Sequence, residues 1–417
     1  MGYKKDIIKG LSWIGSLRFL TKAVGFLEAI ILARILAPEQ FGAYAVALLA
    51  LGLLEVLTET GVNIVLVQEK HVDAYISSAW LISIIRGVLI MFLLLASAPF
   101  IASFFNVKQA LPLLSLVSFV PLLRGFINPS VVKFQKELYF GKDFWYRFVV
   151  LLVDTGVSVS VTFITRNPIG IVVGLLAGVF VETFLSYFIV SPRPSFHFNK
   201  AYIRKIFHRG KWVTGSTIFD YLFYNADNIV VGRFLGAGSL GIYQLAYSIA
   251  VVPLAEIGKV FFHVIVPVMV KISADTDHAY RQAGRLRYVF LRTLIGITAI
   301  TLPLLVILVF TPQIFVFLLG QKWEAIASIL PILGVLGFVK AISLCPVALF
   351  TSSNKQEYTM FTMLINSVGL LVTIVPLVAW YGLFGAGASA LFGSILAVPF
   401  LLYYSLRILK KTAMEHN

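Results

Sequence analysis

The sequence is short of several things, and each shortage narrows the reading. It has a single cysteine, Cys345, so no disulfide can close within the chain and no cysteine-based metal cluster can form. Charge is scarce: 13% of the 417 residues are Asp, Glu, Lys or Arg, too few to coat a water-facing surface of that size. No long polar stretch interrupts the apolar ones, which leaves no room for a separate soluble domain. No G-x-x-x-x-G-K-[ST] phosphate loop is present, so ATP is not the direct energy source. No Ser-His-Asp arrangement is identifiable, and no enzymatic activity and no cofactor are expected.

What fills the chain is apolar. Hydrophobic residues make up 59% of it, and the mean hydropathy is +0.92. A soluble domain cannot hide that much apolar surface, so hydrocarbon must be the solvent for most of the exterior. The net charge of +15 would suggest nucleic acid in a soluble protein; here the positive-inside rule accounts for it, and no nucleic-acid partner is expected. The opening MGYKKDIIKGLSWIG is basic but lacks an A-x-A cleavage site, and Arg18, Lys22 and Glu28 interrupt what would be the apolar core of a leader. It reads as a first membrane helix with an amphipathic lead-in rather than a signal peptide.

A spanning helix needs roughly 20 apolar residues. Twelve such segments are expected, at 11–35, 41–67, 78–104, 110–132, 144–165, 168–190, 212–235, 239–269, 286–310, 325–350, 359–380 and 384–408. Alternate connections carry most of the basic residues: Lys4, Lys5, Lys9, Lys70, Lys133, Lys136, Lys142, the run from Arg193 to Lys211, Lys271, Arg281, Arg285, Arg287, Lys355, Lys410 and Lys411. The opposite set holds little beyond Lys108, Arg166 and Lys322. That bias places both termini in the cytoplasm. The longest connection, SPRPSFHFNKAYIRKIFHRGK, divides the chain into a lobe over 1–190, a basic cytoplasmic linker over 191–211 and a lobe over 212–417. Six helices in each lobe give both the same orientation, so the fold class is all-α and polytopic, two six-helix lobes related by a parallel repeat.

The repeat is visible in residues. At a constant offset of 199, Glu28 falls on Asp227, Arg34 on Arg233, Gly42 on Gly241, Tyr44 on Tyr243 and Ala47 on Ala246. Further on, Leu111-Pro112 matches Leu330-Pro331, and Asn128-Pro129 matches Cys345-Pro346. The glycine-rich GAGSLG at 236–241 superficially suggests a nucleotide loop, but its place between two membrane helices makes it a tight turn on the outer side. Arg34 and Arg233, at the two outer helix ends, suit the capping of helix C-terminal carbonyls.

These stretches resemble a known family. NADNIVVGRFLGAGSLGIYQLAY (225–247), GLLEVLTETGVNIVLVQEK (52–70) and Phe134-Gln135-Lys136-Glu137-Leu138 after Asn128-Pro129 are similar to segments of bacterial oligosaccharide flippases. These belong to the multidrug/oligosaccharidyl-lipid/polysaccharide exporter superfamily, and the branch resembled is that of the colanic-acid and teichuronic-acid exporters. The resemblance implies translocation of an undecaprenyl-pyrophosphate-linked oligosaccharide from the cytoplasmic to the outer leaflet of the inner membrane. It implies alternating access through a cavity between the lobes, alongside polysaccharide-assembly enzymes.

Charged residues inside the membrane carry the chemistry, because each costs about 2.5–3.5 kcal/mol at a helix centre unless it faces a cavity or a partner. The candidate substrate-binding cations are Arg18, Lys22, Arg86, Arg124, Lys259 and Lys340, since Arg and Lys pair with phosphate oxygens. Snorkelling of Arg18 and Lys22 to headgroups is the plainer alternative. Glu55, Glu59 and Asn63 fall at four-residue steps, as one polar stripe on segment two. Glu256, Lys259 and His263 form a matching stripe on segment eight, although Glu256 and Lys259 could simply pair with each other. Glu28, Asp154, Asp220 and Asp227 complete the acidic set, with Glu28 and Asp227 as candidates for coupling to H⁺ or Na⁺; a structural hydrogen-bonding role is the alternative. Arg147 lies two turns before Asp154 as a possible partner. The tryptophans at 13, 80, 145, 212, 323 and 380 are expected as interface anchors.

Two other functions fit less well. A cation-coupled multidrug extruder of the same superfamily would want a more apolar cavity. An integral-membrane polysaccharide polymerase or ligase would want a large outer loop, and every expected outer connection is short.

Overall fold

A computed structural model describes residues 2–69, 71–196, 199–273 and 279–414. Lys70, the charged side chains of 4–9 and of 203–211, and the Trp212 side chain lie outside the described set. The order is α1 (Gly2–Ile35), α2 (Pro38–Leu57), α3 (Val62–Gln68), α4 (Asp73–Phe104), α5 (Ala110–Val117), α6 (Phe119–Gly125), α7 (Val132–Lys136), α8 (Phe140–Thr165), α9 (Ile169–Ile189), α10 (Lys200–Ser273), α11 (Ala279–Phe310), α12 (Gln313–Leu319), α13 (Ile326–Ser352) and α14 (Gln356–Met414). No strand occurs among the described residues.

Eight of these helices are long and apolar enough to cross a membrane. Two are far too long for a single crossing. Their apolar parts run 57 residues (Thr217–Ser273) and 55 residues (Gln356–Lys410), and at 1.5 Å per residue either would be nearly three times the roughly 30 Å hydrocarbon core. Each is broken at one glycine: Gly236 has φ 84° and ψ 179°, and Gly382 has φ 57° and ψ −133°. A side chain at either position would strain the backbone, so the sequence turns the chain where only glycine turns cheaply. Dividing α10 and α14 there makes ten crossings. A bent pair (Ala110–Gly125 with Pro129–Lys136, 71° apart) adds one. The first helix, interrupted by Arg18, Lys22 and Glu28, adds the twelfth. The protein is an all-α, multi-pass membrane protein, six crossings before Ser191 and six after.

Two expected segments are not single helices. Segment two was expected unbroken over 41–67; the structure ends α2 at Leu57 and restarts at Val62 after Gly61, which sits at φ 65°. The polar stripe of Glu55, Glu59 and Asn63 is therefore not one helical face. Segment four, expected over 110–132, ends at Gly125 and turns through a 3₁₀ stretch at Pro129–Val131. Its repeat counterpart behaves otherwise: Cys345-Pro346 lies within an unbroken α13.

The connection after α9 is also not a free loop. Buried Asn128 donates from Nδ2 to the Pro192 carbonyl (3.2 Å), Ser130 Oγ donates to the same oxygen (2.8 Å) and Lys133 Nζ donates to the Ser191 carbonyl (2.8 Å). The Ser195 N–H donates to Ser77 Oγ at 3.1 Å. From Lys200, past the last proline of the run, the backbone is already helical and begins α10. Two tryptophans are core rather than interfacial. Trp323 is fully buried, and Trp80 is buried with Nε1 donating to the Phe126 carbonyl (3.2 Å). Trp145 and Trp380 are exposed, as an interface position requires.

The described chain clusters into two compact units, one of 1–225 with 236–241 and one of 226–235 with 242–417. Inside the first unit the repeat makes a reciprocal contact. A Cβ on Gly42 would lie 1.7 Å from the Ala237 carbonyl oxygen, and one on Gly241 would lie 2.1 Å from the Pro38 carbonyl oxygen. Ala237 and Pro38 are themselves related by the same offset of 199, so the two turns pack backbone to backbone about a local two-fold. Gly42→Ala and Gly241→Ala should each destabilise the protein by about 2 kcal/mol or more. Gly15→Ala and Gly25→Ala, with nothing within 4 Å of the added carbon, should be neutral. Size-exclusion profiles of the four variants in detergent check this, and a wild-type profile for Gly42→Ala would contradict it.

Candidate functional site

The first unit gathers four of the expected residues at the broken end of α2. Arg124 of α6 donates from Nη1 to Glu55 Oε1 at 2.7 Å. Arg86 of α4 donates from Nη2 to Glu59 Oε2 at 3.2 Å and to the Glu55 backbone carbonyl at 2.6 Å, and from Nε to Thr58 Oγ1 at 3.2 Å. The helix break and the cluster have one cause. The Glu59 N–H bonds to the Val56 carbonyl instead of continuing the α-helical ladder, and the guanidinium of Arg86 takes the Glu55 carbonyl thus released. Glu59 closes the turn by accepting from the Gly61 N–H at 2.8 Å. The pairs balance charge without sealing it away: the side chains are 42% and 30% exposed for Arg124 and Glu55, and 26% and 33% for Arg86 and Glu59. Guanidiniums so placed keep donors for a bidentate oxyanion such as a phosphate.

A second group lies between α1 and α8 of the same unit. Thr155 Oγ1 donates to Glu28 Oε2 at 3.0 Å. Asp154, half-buried, is an electrostatic neighbour of Glu28, and Tyr44 of α2 senses both carboxylates. Gly178 lets α9 pack closely on α8 at this point, since a Cβ there would lie 2.9 Å from Asp154 Cβ. The expected partner of Asp154 is otherwise engaged: Arg147 pairs with Asp143 at 2.8 Å, one turn earlier on α8. Arg18 and Lys22 are exposed on α1, and Asp220 is exposed on α10.

The second unit holds its own network. Tyr243 donates to Asp227 Oδ2 at 2.9 Å, and the Asn228 N–H donates to Oδ1 at 2.8 Å. Lys340 of α13 donates to the Tyr247 hydroxyl at 2.8 Å and acts electrostatically on Asp227. Tyr243 and Tyr247 are neighbours on one face, so an acid and a base are joined through two tyrosines. Lys259 pairs with Glu256 at 2.8 Å within α10, the local staple that their three-residue spacing permits. His263 is exposed and contacts the Lys259 carbonyl through Nδ1.

Reading the sequence missed Thr58, Thr155 and Tyr247 as members of these groups. Thr155 adjoins a charged candidate, and Tyr247 lies one turn after the repeat match Tyr243, so a signal existed for both. Thr58 had none, because its role depends on a helix break.

Residues 31–328 match the family described as Polysaccharide biosynthesis protein. The chain belongs to that family. The lipopolysaccharide biosynthesis protein WzxC of Escherichia coli (strain K12) is 27% identical over 348 residues, covering 82% of this chain and 69% of that protein. Among solved structures, lipid II flippase MurJ in an inward closed conformation matches with a TM-score of 0.72, at 17% identity over 96% of this chain and 89% of that one. An inward-facing multidrug resistance MATE family transporter of the MOP superfamily matches at 0.69, with 14% identity over 95% and 96%. At those identities the likeness to the two structures is one of fold. This family member thus carries a transporter fold with a charged cluster in its first half.

The pairing of Arg124 with Glu55 sets a stability expectation. Glu55→Gln and Arg124→Gln, made singly and together, should show a coupling of no more than about 1 kcal/mol, since both side chains are part-exposed. Thermal unfolding in detergent measures it. A coupling of several kcal/mol would mark the pair as a structural clasp instead.

Proposed function

We propose that the protein is a flippase that moves an undecaprenyl-pyrophosphate-linked oligosaccharide from the cytoplasmic to the outer leaflet by alternating access. It would act in the inner membrane with both termini cytoplasmic, a lobe over 1–190, a linker over 191–211 and a lobe over 212–417, beside polysaccharide-assembly enzymes. The observation that carries this reading is the paired but open cluster of Arg86 and Arg124 against Glu59 and Glu55. Family membership supplies the polysaccharide, the shared fold supplies the transport, and the arginines suit the pyrophosphate. Their carboxylate partners hold the charges in the membrane when no substrate is present, and the incoming pyrophosphate competes with those carboxylates for the same donors. Lys22 and Arg18 offer further cations on α1, and Lys340 and Lys259 do so in the second half. Such a cluster suits an anionic substrate better than the cationic and apolar compounds of a drug extruder.

Coupling is assigned to Glu28 and Asp154 rather than to Asp227. The Asp227 carboxylate already accepts on both oxygens inside its own unit. Thr155, which bonds to Glu28, is the next residue after Asp154, so two carboxylates gather at one point of α8, an arrangement that gains from taking up a proton or Na⁺.

In cells lacking their own exporter, the wild-type chain should restore surface polymer. Arg124→Gln at equal membrane abundance should lower it about tenfold or more, the loss expected for one charge-assisted contact. Full export by that variant would reject the cationic site, and drug resistance without polymer export would favour the extruder. In proteoliposomes, translocation should respond to an imposed pH or Na⁺ gradient, and Glu28→Gln with Asp154→Asn should abolish the response. An unchanged response in the double variant would remove both residues from coupling.

A further inference from the structure

A cleft of ≈ 370 Å³ opens in the second unit where the end of α10 meets α11, and neither Lys259 nor His263 is among its lining residues. Its walls are Ile272, Gly284, Arg285, Tyr288 and Val289. Its lining is apolar but for the Arg285 guanidinium and the Tyr288 hydroxyl, and Arg292 and Lys271 stand near it in sequence. Arg285, Tyr288 and Arg292 follow one another down one face of α11, and the Arg292 guanidinium lies over the Tyr288 ring at 5.2 Å. Lys271 is exposed beside Ile272. The opposite face of α11 is committed to the core through Leu286 and Phe290.

The position along the helix sets the depth. With 32 residues, α11 is about 48 Å long, against a hydrocarbon core of about 30 Å. Its far end, from Leu294 to Phe310, is almost wholly apolar, so the excess length falls at the Ala279 end. Arg285 and Arg292 therefore stand at headgroup level, on the side of the basic connections. Guanidiniums there bind phosphate in bidentate fashion, and an apolar wall below them takes acyl chain.

We propose that this cleft is a binding site for the headgroup of an anionic phospholipid, seated on Arg285 and Arg292 with its chains along Ile272 and Val289. The site is separate from the proposed translocation residues and does not depend on what the protein moves. Charge complementarity commits it to an anionic lipid, because a zwitterionic headgroup brings a cation to a cleft that already has Arg285 in its wall and two more cations near it in sequence.

The test is lipid retention by the full-length protein, purified from mixed vesicles of equal phosphatidylglycerol and phosphatidylcholine and weighed by native mass spectrometry. Phosphatidylglycerol should be retained in preference, and Arg285→Gln and Arg292→Gln should each weaken its retention about fivefold. Gly284→Leu keeps every charge and meets nothing within 4 Å at its Cβ, so it fills the cleft without disturbing the fold. It should lower retention as well, which a diffuse basic belt would not show. Equal retention of both lipids, or wild-type retention in Gly284→Leu, overturns the proposal. Displacement of the lipid by millimolar inorganic phosphate would make this a free-anion site, and displacement by equimolar undecaprenyl pyrophosphate would make it part of the substrate path. Either result also overturns it.

Discussion

Burying charge in hydrocarbon is the constraint on which the rest of this structure depends. A lone guanidinium at mid-membrane is expensive, and so is an unpaired backbone carbonyl. Arg86 answers both costs at once: it meets the Glu59 carboxylate and also takes the carbonyl that α2 releases where it breaks. The break at Thr58–Gly61 is therefore not a defect in a spanning helix. It is what allows Glu55 at the end of α2 and Glu59 just beyond it to face two arginines from α4 and α6. Remove the arginine, and the Glu55 carbonyl keeps only the long contact from the Thr58 hydroxyl (3.4 Å), while Glu59 loses its cation.

The duplication shows how one design has been put to two uses. Glu28 and Asp227 are equivalent in the repeat, as are Tyr44 and Tyr243. In the second half the tyrosine bonds directly to the acid, and Lys340 balances the group through Tyr247. In the first half the acid bonds instead to Thr155 and has a second carboxylate, Asp154, beside it. The first half thus sets two carboxylates in the field of Arg124, and the second bonds its acid to a tyrosine. The Asn-Pro and Cys-Pro counterparts diverge likewise: Asn128 anchors the chain leaving α9, while Cys345 is a buried core residue of α13.

Crossing number, fold class and family were legible in the sequence because each rests on long apolar runs and on residues at fixed offsets. The ends of ten expected segments needed only adjustment, and Gly236 stood at a turn already read as a turn. The second segment failed because its apolar pattern continues through Thr58–Gly61, and only the tertiary contact with Arg86 tells a broken helix from a whole one. Of the candidate residues, Glu55, Glu59, Arg86 and Arg124 come together as a group, which spacing along one helix could not show. Glu256 and Lys259 meet only each other, as i,i+3 neighbours do. Trp80 and Trp323 were misplaced because a tryptophan's type does not distinguish a buried hydrogen bond from an interfacial one.

The central claim is that Arg86 and Arg124 hold the pyrophosphate during translocation. The direct measurement is transfer of a fluorescent undecaprenyl-pyrophosphate glycan between leaflets of proteoliposomes. Wild-type protein is compared with the Arg86→Gln/Arg124→Gln double variant at equal folded amounts. Wild type should move the probe, and the variant should be slower by about tenfold or more. Equal rates in the two would contradict the account.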